Sequence, residues 1–235
     1  PLPTASPDFG ILPDYDMDKE NNALLDKFKT NLLAQISTSV ELSGEVRIGF
    51  ALEEIEIYAN EKKPDLIVMG ISGGGRINEF ILGSNTTGLI RKISIPSIIV
   101  PPKAKFKKPS GIVFACDYKT EIASNVISTL KQFLHLFQSN LLVLNMEKPE
   151  DGVTFEKAVN GINLENALGN VMHTLHFLPQ VGDIANEIND FIEVHDAQLL
   201  VVVPHRQSLL GSLFHKSTTK HLAFHTQVPI LALHE

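Results

Sequence analysis

The chain repeats itself, and the repeat bounds its fold more tightly than any motif does. Gly49 falls on Gly182, an offset of 182 − 49 = 133, and in that register Glu54 meets Glu187, Ile55 meets Ile188, Leu66 meets Leu199 and Val68 meets Val201. The match runs on through Ser84 and Ser217, Thr86 and Thr219, Leu89 and Leu222, and Pro96 and Pro229, without a gap from about residue 46 to 100. Each copy opens with a short strand predicted to end at Gly49 or Gly182. A helix follows, with apolar residues at helical spacing (Leu52, Ile55 and Ala59; Ile184, Ile188, Phe191 and Ile192). "DLIVMG" and "QLLVVV" are unbroken aliphatic runs, as strands of a parallel sheet become when helices cover both faces. A loop, a helix and a proline-led strand, "IPSIIVPP" or "VPILALHE", close each copy. That alternation is an α/β sheet with crossover helices.

The second copy also has a front half: strand "GIVFACD" (111–117), a helix over roughly 120–137 and strand "LLVLNM" (141–146). The first has no counterpart, so an opening strand-helix-strand unit is expected to be absent from it. The domain boundary implied lies at residues 104 and 105, giving a first domain over 1–104 and a second over 105–235. "PLPTASPDFGILPDYD" at the start reads as loop from its Pro, Ser and Asp content.

Charge and cysteine content exclude several function classes. A formal net charge of -7 argues against a phosphate-backbone binder, and the one basic cluster, Lys103 to Lys108, reads as a solvated linker. Cys116 is the sole cysteine, so there is no disulfide framework or thiolate zinc cluster, and a reducing cytoplasm fits. No apolar run approaches the roughly 20 residues of a membrane-spanning helix. His221 and His225, spaced i and i+4, are the one helical pair with ligand spacing, but no third ligand accompanies them; His173 and His176 lie on or beside a strand. No metal site is expected. Nor does any nucleophile-base pairing or Gly-x-Ser-x-Gly elbow mark an enzyme.

One loop stands out. Gly70-x2-Gly73-x9-Gly83-Ser84 follows a buried strand and precedes a helix, at the carboxyl edge where open α/β sheets bind ligands. Glycines let backbone N–H groups approach a ligand closely, and a helix N-terminus favours negative charge, so the loop suits an anion. Turn and helix-start chemistry alone is the other reading of the same glycines.

Gly-x2-Gly-x9-Gly-Ser after the fourth strand resembles the nucleotide-binding signature of the universal stress protein family, and the tandem repeat resembles that family's two-domain members. "GFALEEI", "DLIVMG" and "IPSIIVPP" follow in the family's order. The resemblance implies two Rossmann-like, adenine-nucleotide alpha-hydrolase-like domains, each an open parallel five-stranded sheet, pairing through their last strands either within one chain or between chains as a homodimer. It implies ATP binding, alone or with magnesium, in the first domain. There Gly70 and Gly73 would approach ribose and phosphates, and Gly83, Ser84 and Asn85 would hold phosphate oxygens, with Arg76 and Thr86 as additions. In the second copy Asp117 stands where the family places an acidic residue. Its glycine positions, however, map to Val203, Arg206 and Lys216, and Gly211-Ser212 is wrongly spaced, so no nucleotide is expected there. The role implied is a regulatory stress response with an unknown protein partner. A nucleotide-free interaction module, its loop a relic, is the alternative, and an enzyme of the related alpha-hydrolase kind comes third.

Overall fold

The computed structural model describes residues 17–37, 39–70, 88–90, 92–102, 104–204 and 228–235. The chain divides into two compact units, Pro1–Phe50 and Ala51–Glu235. In the first, helix α1 (Met17–Leu33) is followed by residues 39–50, among which there is no strand. Gly44 approaches α1 so closely that a Cβ there would stand 3.0 Å from Leu25 Cδ1.

The expected strand ending at Gly49 is therefore not formed. Its repeat counterpart explains why. The corresponding strand of the second copy is laddered onto a neighbour from the front half, and the first copy has no front half among the described residues. A lone extended segment without a partner forms no ladder.

The second unit is one seven-stranded sheet with α2 (Ala51–Lys62), α3 (Ser124–Phe137), α4 (Phe155–Leu168) and α5 (Ile184–Val194). Its strands are β1 (Ile67–Gly70), β2 (Ser97–Val100), β3 (Gly111–Cys116), β4 (Asn140–Glu147), β5 (His173–Pro179), β6 (Leu199–Val202) and β7 (Ile230–Ala232). They lie in the order β1-β2-β7-β6-β3-β4-β5. Every pairing is parallel except that of β2 with β7. The last five strands form a parallel doubly wound sheet by themselves, and the first copy adds β1 and β2 across that one antiparallel seam.

The repeat register survives in three dimensions. Ile67 pairs with Ser97 and, 133 residues on, Leu200 pairs with Ile230. Helices α2 and α5 begin at Ala51 and Ile184, the same offset apart. The seam joins the two last strands within one chain, pairing Ser97 with Ala232, Ile98 with Leu231 and Ile99 with Ile230. Strands with apolar edges are pairing templates for one another, and here each covers the other.

Side chains alternate across the sheet, so each strand serves two cores. Val113, Ala115, Leu144 and Leu200 pack with Ile188 and Phe191 of α5. Ile112, Phe114, Val143 and Val201 pack on the other face with Leu130 of α3 and Leu164 and Leu168 of α4. Helix α3 starts at Ser124, four residues later than its apolar spacing suggested, and ends at Gln138, whose φ of 58° is left-handed. Helix α5 is capped by Asp183, whose carboxylate accepts from the N–H groups of Ala185 and Asn186 at 3.1 Å. Gln198 ties the start of β6 to that of β3: its Oε1 accepts from the N–H of Ser110 at 2.7 Å and of Gly111 at 3.2 Å.

Candidate functional site

Because β2 and β7 run antiparallel, the carboxyl ends of β1 and β2 lie at the opposite edge of the sheet from those of β3 to β7. The carboxyl edges of the two copies thus face in opposite directions.

Gly70 is the last residue of β1 at its edge, and among the described residues a Cβ there would meet nothing within 4 Å. Gly73, Arg76, Gly83, Ser84, Asn85 and Thr86 lie outside the described residues, as do Arg206, Gly211, Ser212, Lys216, His221 and His225. Beyond the loop, Leu89 and Ile90 are fully buried. Gly88 is held against α2, where a Cβ would come within 2.6 Å of Leu52 Cδ2. Gly88 thereby fixes where the helix after the loop meets α2, a role the sequence reading did not assign.

Among the described residues of the second copy's edge, side chains stand at the strand ends. Val203, which takes the place of Gly70, is 3% exposed. Asp117 is buried at the end of β3, and its Oδ1 accepts from the N–H of Lys119 at 3.1 Å. Beside it, between Ala115, Leu144, Met146, Ile184 and Ile188, is a cavity of about 10 Å³. That is room for about one water and not for a nucleoside. Cys116 is buried as a packed small hydrophobe, and burial pushes its thiol up to about 12. A thiol so placed is neither nucleophile nor ligand at neutral pH.

Among the described residues no three His, Cys, Asp or Glu side chains are grouped to hold a metal. His173 and His176 both lie on β5. His176 meets Phe191 edge-on at 4.9 Å between ring centroids and His195 at 5.0 Å. Desolvation, and then the neighbouring His195, lower its pKa. No described helix is long and apolar enough to cross a membrane.

A wider opening among the described residues lies elsewhere, and no sequence motif points to it. A cleft of about 520 Å³ runs between α4 and the carboxyl ends of β4 and β5. Lys157 sits at its base, buried, with Nζ 2.7 Å from Glu147 Oε1 and donating to the carbonyl of Gly152 at 3.2 Å. Tyr118 closes one end. Its backbone is left-handed (φ 54°), rare for a bulky residue, and Asn160 Nδ2 donates to its carbonyl at 2.8 Å.

An open, mostly parallel sheet flanked by helices, with glycine at one strand's carboxyl end, defines a Rossmann-like α/β protein. Residues 3–101, the glycine loop included, match the model of the universal stress protein family. A curated universal stress protein from Synechocystis sp. is 39% identical over 56 residues, which is 24% of this chain and a fifth of that protein's length. Among solved structures, the chain is similar to a universal stress protein from Archaeoglobus fulgidus DSM 4304, with a TM-score of 0.67 at 16% identity, covering 93% of this chain and 77% of the other. A functionally unknown protein from Pseudomonas aeruginosa PAO1 aligns with a TM-score of 0.61 at 15% identity over 91% of this chain and 77% of its own. At such identities these two speak for the fold alone. With the curated relative beside it, the family match makes residues 3–101 similar to the universal stress protein family.

Proposed function

We propose that the first copy binds an adenine nucleotide, ATP with or without magnesium, through Gly70, Gly73, Gly83, Ser84 and Asn85, with Arg76 and Thr86 assisting. The observation that carries this reading is the contrast at one repeat position. Gly70 ends its strand with no described residue where a side chain would be, whereas Val203 fills the corresponding place in the second copy. Phosphate oxygens at a carboxyl edge need that backbone access, and the helix after the loop adds its N-terminal dipole. The role we assign is regulatory and cytoplasmic: bound nucleotide selects a protein partner or assembly state, and turnover is not its purpose.

Calorimetric titration of ATP and magnesium into the protein, beside a Gly83→Lys variant, tests this. Micromolar binding lost in the variant is the expected result. No binding by the parent protein, or equal binding by the variant, would overturn it and leave the glycines as turn chemistry in a nucleotide-free interaction module.

A further inference from the structure

We infer that the cleft between α4 and the ends of β4 and β5 is a second ligand site, taking an uncharged, largely apolar small molecule with one hydrogen-bond acceptor. Its volume of about 520 Å³ falls within the roughly 300–1,000 Å³ range of small-molecule pockets. Its walls are apolar and unfilled: Phe177 is 63% exposed and Ile162 58%, although both line a concave surface. The Tyr118 and Phe177 rings stand 6.1 Å apart and tilted by 36°, forming an aromatic corner.

Polarity inside the cleft is sparse and converges on Lys157. An ammonium has three N–H donors, and among the described residues Lys157 finds two acceptors, Glu147 and the Gly152 carbonyl. A third donor remains for a ligand oxygen. The charged residues lining the cleft are Glu147, Glu165, Lys148 and Lys157, two of each sign. A ligand anion would have to be desolvated beside Glu147, and a cation beside Lys157, so either sign meets a like charge at the cleft's base as well as a desolvation cost. A neutral carbonyl or ether oxygen on a flat apolar body meets both conditions.

This site stands apart from the proposed nucleotide site. It belongs to the second copy and opens at the sheet edge opposite Gly70.

The probe is Nile red, a neutral, flat dye bearing a carbonyl, titrated by fluorescence into the whole chain. Saturable one-to-one binding is expected. In Gly161→Leu it should weaken at least tenfold, because a Cβ at Gly161 points at the Tyr118 ring 3.9 Å away and the rest of the side chain must enter the cleft. Ile162→Glu, at an exposed position, should weaken binding as much without depending on how the core accepts a new residue. Anionic 1-anilinonaphthalene-8-sulfonate should bind at least tenfold less tightly than Nile red, and ATP should displace neither dye. Absence of saturable binding, unchanged affinity in both variants, preference for the anionic dye or displacement by ATP would each overturn the inference.

Discussion

Replacing Lys157 by methionine isolates the energetics of the cleft's base. Side chains of Lys157 and Glu147 are 10% and 18% exposed, with charged atoms 2.7 Å apart. At an effective dielectric of about 20, unit charges at that distance attract by roughly 6 kcal/mol before desolvation is counted. Desolvation removes much of this, so the net value of the pair is small, but removing one partner strands the other. A stranded buried charge costs about 3–5 kcal/mol when fully enclosed. Glu147 keeps some contact with water, and about 2–3 kcal/mol is the better expectation. For a unit of this size that lowers Tm by roughly 5–10 °C, at about 2–4 °C per kcal/mol. Thermal and urea unfolding followed by circular dichroism measure it, together with Glu147→Leu and the double variant. The double variant should recover to within about 1 kcal/mol of the parent, since no charge is left alone. A Lys157→Met loss below about 1 kcal/mol, or a double variant as unstable as the two single losses added, would refute the idea of a coupled, desolvated pair.

Leu231 is fully buried in the strand seam, so Leu231→Ala should destabilise by about 3 kcal/mol through lost burial and a residual cavity; a Tm within 2 °C of the parent, taken as about 0.5 kcal/mol, would show the seam to be dispensable. Cys116, with its thiol held up to about 12 by burial, should react with a disulfide reagent at pH 8 more than about 100-fold slower in the native chain than in guanidinium. Rapid native labelling would refute its packing. Burial lowers the pKa of His234, whose Nε2 has no hydrogen-bond partner among the described residues. The unfolded chain therefore binds that proton more readily, so the stability this provides is full above about pH 6.5 and is lost as pH falls through the folded value. His234→Leu should flatten the decline in urea midpoint between pH 7.5 and 5.5, and an unchanged decline would refute the assignment.

Much of the fold was legible because the repeat and the strands share one physical cause. Val68 and Val201 are apolar in register as strand residues of one repeat, although Val201 is fully buried and Val68, on the outermost strand, is 61% exposed. The strand at Gly49 was misread because pairing is not a property of a segment: the same pattern forms a ladder beside β4 and none where no neighbour is described. The glycine loop was read as chemistry, and only Gly70 of it lies among the described residues. The cleft was not legible at all. Its walls come from Leu175, Phe177 and Ile162, which no motif marks, and its end wall depends on a left-handed turn at Tyr118 that no composition rule anticipates. Nothing in the sequence marks Lys157, because its burial is decided by contacts with Glu147 and with the loop through Gly152 and not by the helix itself.

The seam carries a final consequence. Under the 133-residue offset Ile98 corresponds to Leu231, and these two residues pair with each other, while Ser97 with Ala232 and Ile99 with Ile230 exchange places. A contact in which equivalent residues meet is isologous, the geometry of a two-fold dimer. Here a peptide linker has replaced the second polypeptide. In a homodimer every substitution appears on both sides of the axis, whereas in this chain Ile98 and Leu231 can change separately and so can the two carboxyl edges. Glycine at position 70 opposite valine at 203, and a cleft under α4 that the first copy does not repeat among the described residues, are asymmetries that only a fused pair can encode.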